Sequence, residues 1–174
     1  MIGRAVLCPC PPLLARELTG RDPAVPALRE ACAQAVGWLV RGAPRQVIVA
    51  GPAPSTADWD PGSRLDLSIF APGRGGGGKP DLPLSLGLGA LLLDQAGYTG
   101  SRVLQAVGAA EPPARCARLG ETLAAAAARA FPGGQAVLLA MGDGSARRTA
   151  AAPGHLDEHW RASTEMIQRF VRAV

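Results

Sequence analysis

The feature that most constrains this chain is an alternation. Short aliphatic runs recur along it, separated by longer segments with helical spacing. Residues 4–8, 46–50, 103–107 and 135–140 read as strands. Residues 26–40, 84–96 and a segment from Pro112 or Pro113 to about Ala130 read as helices. Strand–helix alternation of this kind predicts one α/β domain over residues 1–174, with a mainly parallel central sheet and helices on both faces. In such sheets ligands sit outside the carboxyl ends of the strands. The loops leaving those ends are therefore the first place to look for chemistry: residues 8–12, 51–60 and 142–148.

The helical faces are specific. Leu28, Ala31, Cys32, Ala35, Val36 and Leu39 recur on one side of the first helix and put Cys32 on its buried face. Gly87 and Gly89 in the second allow close approach to a sheet, at a cost in helix propensity. Cys116, Leu119, Leu123 and Ala127 are expected to line the inner face of the third. Leu156, Trp160, Ser163, Ile167, Phe170 and Val174 form an amphipathic stripe near the end of the chain. Between the second strand and the second helix, residues 51–82 form a long irregular stretch rich in Gly and Pro, with room for a strand at 65–70.

Composition closes off several classes. Lys plus Arg is 18 and Asp plus Glu is 14, a net charge of +4, and the basic residues are scattered without interleaved aromatics. Nucleic acid is not an expected partner. The longest apolar run, residues 84–93, contains Ser85, Gly87 and Gly89 and is too short to span a membrane. The four cysteines, Cys8, Cys10, Cys32 and Cys116, make no disulfide framework, and no signal peptide opens the chain. A reduced, cytoplasmic protein is the expectation. Aromatic residues are 4% of the chain, so the core must come from Ala, Leu and Val.

Four motifs carry potential chemistry. Gly73-Arg74-Gly75-Gly76-Gly77-Gly78-Lys79 matches much of a phosphate-binding loop, but Pro80 stands where a Ser or Thr would ligate magnesium, and no helix begins there. A glycine linker is the better reading. Cys8-Pro9-Cys10-Pro11-Pro12 is a rigid turn with two thiols. Cys8 reads as an apolar filler and Cys10 as the more exposed of the two. His155-Leu156-Asp157-Glu158-His159 puts two imidazoles at i and i+4, able in principle to grip a metal. Pro153-Gly154 places that pair at a helix start, with no evident third ligand.

The fourth motif is the most informative. Met141-Gly142-Asp143-Gly144-Ser145-Ala146-Arg147-Arg148 follows the last strand directly. The glycines let the backbone turn, Asp143 is fixed at the sheet edge, and Arg147 and Arg148 can pair with it or with an anionic ligand. Asp143 can equally serve as a turn cap bonded to loop amides.

Read together, Cys8-Pro9-Cys10-Pro11-Pro12-Leu13-Leu14, Pro83-Leu84-Ser85-Leu86, Gly142-Asp143-Gly144-Ser145-Ala146-Arg147-Arg148 and Ala152-Pro153-Gly154-His155-Leu156-Asp157 resemble the class III extradiol ring-cleavage dioxygenase family. The branch they resemble is the one related to the protocatechuate dioxygenase beta chain and the Memo proteins. The resemblance covers roughly residues 4–157. It implies an α/β fold whose cleft lies at the strand ends. It also implies, for true members, non-haem iron(II) on two His and a Glu, another His as acid/base, and oxygen-dependent cleavage of a catecholate.

Carried over residue by residue, most of that machinery is missing. Cys10 stands where the family has its first His ligand, residues 51–60 contain no His, and Ser145-Ala146-Arg147 stands where the acid/base His belongs. The family's Glu ligand lies C-terminal to the end of this chain. Asp143 alone matches. The expectation is a diverged protein that keeps the cleft without the triad and binds a small aromatic or anionic molecule. Asp143, Cys10 and Ser145 would carry any metal-free acid/base or thiol chemistry. Gly142, Gly144, Arg147 and Arg148 would hold the ligand. No cofactor is expected. The rival expectations are a metal-dependent oxygenase-type enzyme with Fe(II) or Zn on Cys10, His155 and His159, and a non-catalytic subunit acting by association, as a homo-oligomer or with a partner subunit.

Overall fold

A computed structural model describes residues 2–18, 24–67, 70 and 82–144. The strands are β1 (Ile2–Cys8), β2 (Gln46–Ala53), β3 (Ala57–Trp59), β4 (Ser101–Gly108) and β5 (Ala136–Met141). The helices are α1 (Ala24–Val40), α2 (Leu84–Gln95) and α3 (Pro113–Ala130), and two short 3-10 turns follow β1. The five strands form one sheet in the order β1-β5-β2-β4-β3. Four run parallel, and only β3, at the edge beside β4, is antiparallel. This is the expected α/β domain. β5 sits between β1 and β2, so the ends of those three strands are neighbours although they lie far apart in the chain.

Alternation along each strand divides the core between the two faces. Val47, Val49, Leu104, Ala106, Val137, Leu139 and Met141 face α1 and α2 in the main core. Ile48, Ala136, Val103 and Leu138 face the other way, toward Leu123 and Ala127 of α3. The two layers are unequal. α2 is buried on most sides, with Leu86, Leu88 and Leu93 at 0% exposure, and truncating one of them to Ala costs about 2–5 kcal/mol. In α3 only Ala127 is fully buried, so this helix meets the sheet near its C-terminal end and stands off at its first turns.

Local chemistry explains where the elements stop. α2 ends in a Schellman motif: Gly97 takes φ +70°, its amide donates to Asp94 O at 3.0 Å, and the Tyr98 amide donates to Leu93 O at 3.0 Å. The Arg102–Asp94 ion pair at 2.7 Å ties that turn to β4. Arg4 of β1 donates to the Trp38 carbonyl at 2.9 Å and also to Arg41 O, and so caps the C-terminus of α1.

Three sequence expectations need correction. The irregular stretch does not begin at residue 51, because β2 continues to Ala53 through Pro52. Pro52 is tolerated there because its carbonyl turns away from β4 and accepts the Ser85 hydroxyl at 2.8 Å, on the side β5 no longer covers. The extra strand is β3 at Ala57–Trp59, while residues 65–67 and Phe70 are not strand. Cys116 is exposed rather than inward, because the start of α3 stands away from the sheet. The amphipathic stripe at 156–174 and the Gly-rich run at 73–79 lie outside the described residues. Among the described residues no helix is long and apolar enough to cross a membrane.

Candidate functional site

From Arg4, after an irregularity between Ile2 and Arg4, the β1–β5 ladder runs in register up to Cys8 opposite Met141. Pro9 then has no N–H to donate, so a regular ladder cannot continue. Two contacts replace it. The Gly142 amide donates to the Cys8 carbonyl at 2.9 Å. One residue on, the side chain of Asp143 takes over: the Cys10 amide donates to Oδ1 at 2.9 Å and the Cys10 thiol donates to Oδ2 at 3.1 Å. Asp143 is therefore both a cap for the proline turn and the acceptor of a thiol. Arg29 of α1 fixes the same turn from behind, donating to Leu13 O at 2.9 Å and Ala15 O at 2.8 Å.

Cys10 is buried at 8% exposure, contrary to its expected accessibility. The turn folds back over the strand ends and seats Leu14 and Ala15 in the core, which carries Cys10 inward. Burial first, and then the bond to Asp143, push the Cys10 thiol up to about 12. A thiolate is the nucleophilic form, so at neutral pH this sulfur is a hydrogen-bond donor. Asp143 itself is exposed, and its carboxylate has lone pairs left for a further donor. Cys8 lies against Cys32 of α1. Their hydrogen bond and burial push the Cys8 thiol well above the usual range, and both read as core thiols.

Beside this pair lies a shallow apolar hollow of about 270 Å³ across the ends of β2, β4 and β5. Ala50, Gly51, Pro52, Val107, Gly108 and Met141 form its walls. Gly51 is required by close packing: a Cβ there would stand 2.7 Å from Ser85 Cβ and 3.2 Å from Met141 Cβ. Gly142 is different, since a Cβ there would meet only Leu7 Cδ1 at 3.8 Å. The space over the start of the loop is open. Gly144 is half-buried at its far end.

The structure thus brings together Cys10, Gly142 and Asp143, while Gly51 lies against Ser85 and Met141. Ser145, Arg147, Arg148, His155 and His159 lie outside the described residues. Among the described residues no three His, Cys, Asp or Glu side chains converge to hold a metal. Among the described residues, the donors at the strand ends are one thiol and the carboxylate it bonds, and these two do not make up a two-His-one-carboxylate iron centre. Sequence reading missed a second cluster, Thr56, Glu111 and Arg115, at the ends of β2 and β4. Its one visible trace is the i, i+4 spacing of Glu111 and Arg115 at the start of α3. No protein-family model matches this chain, and no curated protein matches it in sequence.

Proposed function

We propose that this chain is a diverged extradiol-dioxygenase-like protein that binds a small aromatic or anionic molecule at the carboxyl ends of its strands, without the iron triad of that family. The observation that carries this reading is the exposed Asp143 carboxylate, oriented by two hydrogen bonds from Cys10 at the end of the strand whose Met141 lines the apolar hollow. A ring fits an apolar wall, and a hydroxyl on that ring would donate to the free lone pairs of Asp143. Asp143 is the group suited to take a proton from such a hydroxyl. The neutral Cys10 thiol positions it and does not attack.

Titration calorimetry with catechol and protocatechuate tests the proposal. Binding that weakens about tenfold in Asp143→Asn, a loss of about 1.4 kcal/mol, supports it. Absence of binding by either compound at millimolar concentration overturns it. Metal analysis of the purified protein is the second arm. Stoichiometric iron or zinc that disappears in Cys10→Ala overturns the metal-free reading.

A further inference from the structure

A second site lies on the opposite side of the sheet from α2. α3 touches the sheet near its C-terminal end and stands off at its first turns, which leaves a groove of about 260 Å³ between those turns and the end of β4. Val107 and Leu119 give it an apolar floor. The groove runs into a second depression of about 530 Å³, with Thr56, Glu111 and Arg115 common to both. It occupies the point where the topology switches. The chain leaving β2 leads to α2 on one face, and the chain leaving β4 leads to α3 on the other. Crevices at such points are where open α/β sheets bind ligands.

One wall is already ordered. The Gly108 amide donates to Thr56 Oγ1 at 2.9 Å, and the Thr56 hydroxyl donates to Glu111 Oε1 at 2.9 Å. Glu111 Oε2 then faces Arg115 Nε at 3.4 Å. This chain of contacts joins the β2–β3 loop, the β4–α3 loop and the first turn of α3. It holds Arg115 by its Nε alone, with the side chain 69% exposed. Arg118 lines the same groove one turn further on and forms no ion pair among the described residues. Two guanidinium groups at i and i+3 against one carboxylate leave an excess of one positive charge on an apolar floor. An oxyanion could bridge the two groups in the bidentate manner that arginine favours.

From this geometry we infer that the groove between α3 and the end of β4 binds a small amphipathic oxyanion, its carboxylate or phosphate on Arg115 and Arg118 and its apolar body on Val107 and Leu119. β2 and β5 lie between this groove and the Cys10–Asp143 pair, so its arginines act independently of that pair, although Val107 and Gly108 at the end of β4 also border the apolar hollow.

Cys116 supplies the readout, because it lines the groove and is exposed while Cys8, Cys10 and Cys32 are buried. The native protein is treated with a thiol-reactive disulfide reagent, and the rate of Cys116 modification is measured with benzoate, phenyl phosphate, inorganic phosphate or benzyl alcohol present. Protection by benzoate or phenyl phosphate of about tenfold, at a concentration ten times Kd, is expected from mass action. Whichever of the two protects more strongly identifies the head group. The protection should vanish in Arg115→Gln/Arg118→Gln and persist in Asp143→Asn. Equal protection by benzyl alcohol overturns the inference, as does equal protection by inorganic phosphate, an unchanged effect in the double variant, or no protection at all. Both arginines are on the surface, and a melting temperature equal to wild type confirms that the double variant is folded.

Discussion

Cys10 and Asp143 are joined twice across 133 residues of chain, the amide of Cys10 on one carboxylate oxygen and its thiol on the other. This paired contact closes the end of the β1–β5 ladder where Pro9 prevents a regular continuation. It also sets the only fixed orientation of Asp143 that the described residues provide. Removing the carboxylate strands a buried amide, so Asp143→Ala is expected to cost about 1–3 kcal/mol in urea unfolding. Cys10→Ala keeps the amide bond and loses only the thiol, and is expected to cost less than Asp143→Ala. The reverse ranking would mean that the thiol, and not the amide, is what the carboxylate serves.

The same pair predicts a pH dependence. The thiol of an unfolded chain titrates near 9, and that of Cys10 in the folded protein is pushed up to about 12. The folded state therefore holds the proton over a range where the unfolded state has lost it. Stability from this group is complete below pH 9 and falls as pH rises toward 12. The slope contributed by one such group is at most about 1.4 kcal/mol per pH unit. Cys8 and Tyr98 shift in the same direction, so the quantity to measure is the difference between wild type and Cys10→Ala in denaturant midpoints taken above and below pH 9. Parallel curves would remove Cys10 from the account.

Two glycines in helices should respond in opposite ways. A Cβ on Gly89 would stand 2.5 Å from Val49 Cγ1 and 3.2 Å from Met141 Cγ, in a tight contact between α2 and the sheet. Gly89→Ala gains up to about 1 kcal/mol of helix propensity but forces the helix off β2, and a net loss of about 1–3 kcal/mol is expected. Gly37 in α1 has nothing within 4 Å of its Cβ position. Gly37→Ala should therefore raise stability by about 0.5–1 kcal/mol. Thermal or urea unfolding of the two variants checks the signs, and stabilisation by Gly89→Ala would mean that α2 packs less closely than its contacts indicate.

How much of the molecule is legible in its sequence depends on the range of the interactions involved. Val47-Ile48-Val49 announces a buried strand by itself, and the close approach of Gly89 to the sheet follows from its place in an apolar helix, whereas Gly87 packs against Leu65 of the preceding loop and not against the sheet. β3 is three residues, Ala57-Asp58-Trp59, with no periodicity to read; its pairing to Leu104–Ala106 exists only because the loop returns to β4. Pro52 reads as a strand end because the side on which its missing N–H falls cannot be judged locally. Cys10 reads as exposed because a proline turn is usually at the surface. Its burial depends on Arg29 and Leu14 drawing the turn inward. Thr56, Glu111 and Arg115 form a cluster only because β2 and β4 are neighbours, which nothing local announces.

The last prediction separates a structural role for the 142–144 turn from a ligand-facing one. A methyl group on Gly142 would make one ordinary contact, with Leu7 Cδ1 at 3.8 Å, and would otherwise project into open space beside Asp143. Gly142→Ala is thus expected to leave the melting temperature within about 2 °C of wild type, since well-placed Gly→Ala changes are worth under about 1 kcal/mol. If a ring bound to Asp143 lies over the Gly142 backbone, on the Leu7 side, the same methyl group intrudes on it, and affinity for catechol or protocatechuate should fall about tenfold or more, or about 1.4 kcal/mol. Asp143→Asn weakens binding by removing charge, Gly142→Ala by removing space, and the two losses should not be additive because both act on one contact. Full affinity in Gly142→Ala with a marked loss in Asp143→Asn would put the ligand on the side of the carboxylate away from Gly142 and Leu7.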